Sequence, residues 1–303
     1  MAQLASSSFL LEPSSLRALP LLESGPDDRY FDYCLEPYRP RRTWQSKLRS
    51  EKLLWLSLTV GHSLDAIRPP LRALQEQLGK DMTVWGVKWD GVRLFWEVYV
   101  YDPAKEDPNA TLREIARLLA PWFRFAPRPP ETIPYQMVSF DLDDAILARK
   151  TVDEVNLYLT GGPGHAGRSY KARAVGFELE NTYRFFEAKR EIEQLLPLIK
   201  ASVYVDYAAD ATRLSKVLIP ELFACKKICV AKKRLRDGIY YSGIAVKQLL
   251  WFLKRFEYPA PIVDFVTRRE SSFEHLFFDV GIDYVGSDDG RVTYPKTSFY
   301  GTL

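Results

Sequence analysis

The chain is poor in the residues that most often announce a metal centre, a covalent scaffold or a hydrolytic triad. Among 303 residues there are three cysteines, three histidines and three methionines. Cys34, Cys225 and Cys229 are too few to build a disulfide framework and fit a reducing compartment. Cys225 and Cys229 are spaced CxxxC with no further ligand nearby, which argues against zinc. His62, His165 and His275 are scattered; none forms HxxxH or sits beside a Ser or Cys nucleophile. No apolar run reaches the roughly 18–20 residues of a membrane span. Charge of one sign is also lacking: 42 Lys and Arg against 39 Asp and Glu leave a net +3, so electrostatics do not demand a nucleic-acid partner. Residues 1–25 lack a basic start and a small-residue cleavage site, and read as a loosely ordered lead-in, not a signal peptide, which leaves the cytoplasm as the expected location.

Aromatic residues, by contrast, are abundant: 17 Tyr, 17 Phe and 7 Trp make up 14% of the chain. The remaining composition, 47% hydrophobic and 27% charged, is that of an ordinary globular protein. A chain of this length buries roughly 75% of its unfolded surface without needing a disulfide or metal. We expect one domain over residues 1–303.

The patterning alternates between two periods. Residues 50–79 carry leucines at helical spacing, with a break expected at Pro69-Pro70. Residues 84–89 and 92–101 flank Asp90-Gly91, a pair suited to a two-residue hairpin turn. Residues 111–123 then read as an amphipathic helix, and 137–142 with 155–160 as a second strand pair. Strand-like 170–177 precedes helical spacing over 187–199, a short β-like run at 203–207 and a helix at 212–223. Residues 226–233 and 239–242 form a hairpin around Asp237-Gly238, followed by a helix at 246–256. The chain ends in 277–285 and 292–300, joined through Ser287–Gly290. Hairpins separated by helices, about five times over, imply antiparallel strands with helices on one face. Ten such strands have the means to close into a barrel.

The strand faces sort by chemistry. Leu94, Trp96, Val98 and Val100 share one side; Arg93, Phe95, Glu97, Tyr99 and Tyr101 share the other. The polar side continues as Asn156, Tyr158 and Thr160, then Lys171 and Arg173, then Lys227, Cys229 and Lys233, then Lys296, Ser298 and Tyr300. Such a face is either solvated, as on a one-sided sheet, or the lining of a lumen. Its Tyr and Phe content favours the lumen. Lys and Arg converging from several strands would make an anion site suited to phosphate or diphosphate, beside tyrosine rings able to stabilise a cation.

Three local motifs carry less. Gly162–Ser169 fits GxxxxG[K/R]S, but Arg168 replaces the lysine and strand, not helix, follows. Asp141-Leu142-Asp143-Asp144 lacks the DDxxD spacing because Leu147 stands at the third aspartate, and reads as a turn. The basic clusters Arg39-Pro40-Arg41-Arg42 and 226–236 read first as solvated faces and second as anion contacts.

The hairpin-and-helix order, the length and the Tyr- and Lys-rich inner strands resemble the ABBA-type aromatic prenyltransferases, nearest in look to those acting on cyanobactin peptides. The best local matches are residues 280–281 and 291–300, Ile239-Tyr240-Tyr241, and Val155-Asn156-Leu157-Tyr158. The resemblance spans about residues 83–300 in pattern. It implies an α+β fold, a ten-stranded antiparallel barrel ringed by helices. It further implies transfer of a dimethylallyl or geranyl group from its diphosphate to an electron-rich aromatic small molecule or modified peptide, with Mg²⁺ as an optional cofactor. By position, Arg93, Lys171, Arg173, Lys227 and Lys296 would hold the diphosphate. Tyr99, Tyr158, Tyr240 and Tyr300 would line the pocket, and Glu97 would orient or deprotonate the acceptor. A non-catalytic barrel binding a hydrophobic anion such as an isoprenoid phosphate is the alternative, and an interaction protein with an open, solvated sheet is a third.

Overall fold

The structure is a computed structural model describing residues 22–102, 106–130, 132–160 and 166–303. Ten strands form its wall: β1 (Thr83–Trp89), β2 (Leu94–Tyr101), β3 (Met137–Leu142), β4 (Glu154–Thr160), β5 (Ala166–Arg173), β6 (Phe177–Glu187), β7 (Lys227–Lys233), β8 (Asp237–Ile244), β9 (Phe278–Gly286) and β10 (Val292–Thr302). Each pairs antiparallel with its neighbours in sequence, and β1 pairs with β10, so the sheet closes without a crossover. Closure removes both sheet edges. It also overturns the open-sheet reading of the polar faces.

Nine helices are present among the described residues: α1 (Glu51–Val60), α2 (Leu64–Leu78), α3 (Leu112–Leu118), α4 (Asp144–Arg149), α5 (Ile192–Lys200), α6 (Arg213–Val217), α7 (Val246–Arg255), α8 (Ala260–Arg268) and α9 (Glu270–Phe273). None is long and apolar enough to cross a membrane. The core lies between these helices and the outer wall of the barrel. Trp85, Trp96, Phe140, Phe186, Tyr241, Tyr284 and Phe299 are fully buried there, each contributing on the order of 2–3 kcal/mol through burial. Two polar tips in this layer find partners: the Trp96 indole donates to Ser57 Oγ on α1 at 2.9 Å, and Tyr241 OH accepts the Ile219 N–H at 2.9 Å.

The alternation read from the sequence holds along most of the wall. Trp96, Val98 and Val100 of β2 face the helices, while Phe95, Glu97, Tyr99 and Tyr101 line the lumen. Connections differ more. Trp89 pairs with Leu94, so the first hairpin has a four-residue loop instead of a two-residue turn. The Asp90 carboxylate sets it by accepting the N–H groups of Val92 at 2.9 Å and Arg93 at 2.7 Å. Asp237-Gly238 is no turn: both residues lie in β8, opposite Lys232 and Ala231, and residues 234–236 turn the chain. The Asp237 carboxylate holds Lys232 at 2.7 Å across the strands, which favours pairing at that point.

The helix break expected at Pro69-Pro70 is absent, and α2 runs through both prolines. The chain interrupts its helices at Gly61–Ser63 instead, where the Gly61 N–H closes on Ser57 O and His62 takes a φ of 56°. Residues 203–207 form no strand, because the Tyr204 backbone is tied to Gly286 and its hydroxyl to the 233–234 carbonyls. The long strand β6 escapes the periodic reading because Phe177 and Leu179 are exposed on a stretch whose register shifts at Ser169/Tyr170. β4 and β5 are joined by a linker of residues 161–165 alone, and α4 lies instead between β3 and β4, so the hairpin-and-helix alternation is not regular here. That linker and the lead-in up to residue 21 lie outside the described residues. Arg168 and Ser169 sit in β5, paired on both sides, so the helix a P-loop requires is missing.

Candidate functional site

The lumen has two chambers. The first, of about 290 Å³, is charged: Lys88, Glu97, Asp141, Lys171, Lys233, Arg236, Asp283 and Lys296 line it. The second, of about 490 Å³, is aromatic, with Tyr33, Tyr101, Tyr183 and Phe185 on its wall beside Cys34, Met137 and Cys229. Tyr99, Tyr158, Tyr240 and Tyr300 belong to both chambers and form the collar between them. Their rings stand about 6 Å apart in tilted or edge-on pairs: Tyr99–Tyr158 at 6.3 Å, Tyr99–Tyr300 at 6.0 Å and Tyr240–Tyr300 at 6.3 Å. Two lumen-facing glycines make room for this collar. A Cβ on Gly86 would come within 2.8 Å of the Tyr300 ring, and one on Gly281 within 2.5 Å of the Tyr240 ring. Each glycine sits directly across from its tyrosine.

Two ionic clusters occupy the charged chamber. In the first, Lys88 Nζ lies 2.6 Å from both Glu97 Oε2 and Asp141 Oδ1. Glu97 also accepts from the Tyr99 hydroxyl, from Ser139 Oγ at 2.5 Å and from Asn156 Nδ2 at 3.4 Å. Burial alone would raise its carboxyl, but Lys88 and Lys296 hold it down to about 2. In the second cluster, Asp283 receives Lys233 at 2.5 Å on Oδ1, and Lys296 at 3.1 Å and Arg236 at 3.6 Å on Oδ2. Burial opposes the Asp283 charge, yet these cations hold its carboxyl well below the carboxylate range. Burial pushes the Lys296 amine down to about 8; Asp283 works against that shift and Lys88 and Lys233 add to it. Three buried atoms of lumen residues, Asn156 Oδ1, Ser169 Oγ and Asn181 Oδ1, have no protein partner among the described residues.

The chain before α1 lines one side of the aromatic chamber through Tyr33–Pro37. Tyr33 puts its ring 5.5 Å from Tyr300, 6.2 Å from Phe185 and 6.4 Å from Tyr240. Its backbone is held at both ends: the N–H donates to Asp279 at 2.9 Å and the carbonyl accepts Tyr101 OH at 2.6 Å. Leu35 takes a φ of 56°, and Glu36 pairs with Lys227.

The sequence-predicted residues divide accordingly. Glu97, Lys171, Lys296 and the four tyrosines line the charged chamber. Lys171 is half engaged, 2.7 Å from Glu154. Three expected diphosphate ligands lie elsewhere. Arg93 precedes β2 on the hairpin loop, 69% exposed and 3.4 Å from Asp90, because the strand begins at Leu94, two residues later than the expected 92–101. Arg173 stands at the tip of the β5–β6 hairpin, 44% exposed between Glu154 and Glu178. Lys227 faces the aromatic end and is spent on Glu36. Lys88, Arg236, Asp283 and Tyr33 went unassigned. Lys88 and Asp283 were recoverable from strict alternation along β1 and β9, whereas Arg236 and Tyr33 reach the lumen from loops that no periodicity describes.

Mg²⁺ fits poorly here. Glu97 and Asp141 share Lys88, Asp283 is saturated by three cations, and no three His, Cys, Asp or Glu gather to hold a metal ion among the described residues. Asp143 is a helix cap, accepting the Ile146 N–H at 2.8 Å.

Fold and site together define a closed, sequentially wound ten-stranded barrel with a charged and an aromatic half. The sequence matches no protein-family model and no curated protein.

Proposed function

We propose that the protein is a transferase that moves an allylic prenyl group, dimethylallyl or geranyl, from its diphosphate to an electron-rich aromatic or peptide side-chain acceptor inside the barrel. The observation that carries this reading is the shared collar: Tyr99, Tyr158, Tyr240 and Tyr300 border a cation-lined chamber on one side and an aromatic chamber on the other. A ligand with its diphosphate among Lys233, Arg236 and Lys296 and its apolar end in the aromatic chamber has its scissile carbon–oxygen bond at the collar.

The chemistry follows from that pose. The C–O bond breaks with its electron pair going to the diphosphate oxygen, whose charge Lys296, Lys233 and Arg236 neutralise. The allyl cation meets tyrosine ring faces in place of water. The acceptor supplies the electron pair for the new bond to carbon and loses a proton to the freed diphosphate. Glu97 is a poor candidate for that proton: a carboxyl held down to about 2 and engaged by Lys88, Tyr99, Ser139 and Asn156 is a weak base. Its role in this scheme is to fix Lys88 and Tyr99.

The same weakness of Glu97 favours one competing reading, a barrel that binds an isoprenoid phosphate without turning it over. Incubation with dimethylallyl or geranyl diphosphate and a panel of indoles, phenols and Trp or Tyr peptides separates the two. Diphosphate release with a matching mass gain on an acceptor supports transfer. Saturable binding with no product across the panel refutes it in favour of the carrier.

A further inference from the structure

The two ionic clusters of the lumen are not equivalent. Lys88 sits between two carboxylates, each at 2.6 Å, and has no charge left to offer. Around Asp283 the ratio is reversed: Lys233, Arg236 and Lys296 converge from β7, the β7–β8 turn and β10 upon one carboxylate of β9. Both carboxylate oxygens are used. The Asp283 side chain is only 2% exposed, whereas Lys296 and Arg236 are 19% and 35% exposed. Three cations within salt-bridge reach of one group repel one another unless an anion stands among them. A side chain of the protein, Asp283, is that anion.

We propose that Asp283 is a resident counter-ion held in the seat of the ligand's phosphate, and that it makes the lumen select diphosphates over monophosphates. This rests on the anion-binding half of the function proposed above and not on group transfer. A carboxylate brings one negative charge and two acceptor oxygens to the triad. A monophosphate improves little on that while adding repulsion from Asp283. A diphosphate brings more charge and more oxygens than Asp283 can, and spans cations that one carboxylate cannot satisfy together. Asp283 thus raises the threshold for entry and sets specificity by repulsion.

The test is direct binding of inorganic pyrophosphate and inorganic phosphate to the full chain by calorimetry, in EDTA and again with Mg²⁺. The wild type is expected to prefer pyrophosphate by about 30-fold or more. Asp283→Asn is expected to bind phosphate about tenfold tighter and to cut the preference below about fivefold. Because the variant leaves three cations facing one another, its melting temperature is read alongside. It should be lowered without anion and restored by pyrophosphate by more degrees than the wild type gains. The double variant Asp283→Asn, Lys233→Met relieves the repulsion and serves if the single variant does not fold; read against Lys233→Met alone, it should show the same fall in preference. Unchanged selectivity in these variants would overturn the proposal. So would pyrophosphate binding that requires Mg²⁺ in the wild type and vanishes in Asp283→Asn, since Asp283 would then be a metal ligand. Selective pyrophosphate binding without any prenyl transfer would leave this inference standing and remove the transferase reading.

Discussion

Replacing Lys296 by methionine should stabilise the protein while disabling its anion site. Lys296 lies in the lumen on β10, with Asp283 as its ion-pair partner and Lys88 and Lys233 as unfavourable neighbours; Glu97 adds a weaker attraction. Its amine falls from an ordinary 10.5 to about 8, chiefly through burial. At about 1.4 kcal/mol per pH unit, holding the charge in the fold costs about 3 kcal/mol more than in the unfolded chain. The sign follows from linkage. Below pH 8 Lys296 is charged in both states and the whole penalty is present; between pH 8 and 10.5 the folded protein sheds the proton first and the penalty fades. Methionine fills a similar volume without the charge. Urea unfolding at pH 7 should therefore show Lys296→Met more stable by up to about 3 kcal/mol, with the gap closing towards pH 10.5. Pyrophosphate binding by the same variant should be lost. Such opposition between stability and function is common where a binding site stores like charges. A variant that is destabilised at pH 7, or a gap that does not change with pH, would refute the argument that Lys296 is a strained charge.

Glu97→Gln should cost about 3 kcal/mol near neutral pH, because it strips a buried lysine of one of two counter-ions. With the Glu97 carboxyl held down to about 2 against an ordinary 4.5, that contribution is complete above pH 4.5 and disappears as the pH falls towards 2, so the gap in urea unfolding should close over that window. Asp279 has the opposite sign: burial and the nearby Asp32 push its carboxyl up to about 7, so Asp279→Asn should gain stability relative to wild type as the pH rises from 4 to 7. Gly281→Ala places a Cβ 2.5 Å from the Tyr240 ring and should cost about 1–3 kcal/mol while weakening pyrophosphate binding, since Tyr240 accepts from Lys233 at 2.8 Å. Arg93→Ala should leave pyrophosphate affinity at the wild-type value, a result that calorimetry checks directly and that an Arg93 inside the lumen would contradict.

The faces of the strands were legible because side-chain direction has a period of two and needs no knowledge of what lies opposite. Aliphatic residues on one side and Tyr, Lys and Glu on the other place Glu97, Tyr99, Tyr158, Lys171, Lys296 and Tyr300 on the inner wall wherever the strand is regular. The reading failed where alternation stops. Arg93 lies one residue outside its strand, and Arg173 lies at a hairpin tip with two glutamates closer than the lumen. Tyr33 enters on a segment with no periodicity at all.

What the sequence determined alone was the inventory and the sides: antiparallel hairpins, an aliphatic outer layer, and an aromatic excess sharing its face with cations. It could not determine which of those cations keep their charge available. That is a three-dimensional property, since it depends on which carboxylates closure brings within about 3 Å. Lys88 and Lys296 read alike along the chain. Pairing of β2 with both β1 and β3 sets Lys88 between Glu97 and Asp141, whereas β9 gives Lys296 a third share of one aspartate. Coulomb energy falls with distance, and only the closed barrel fixes those distances.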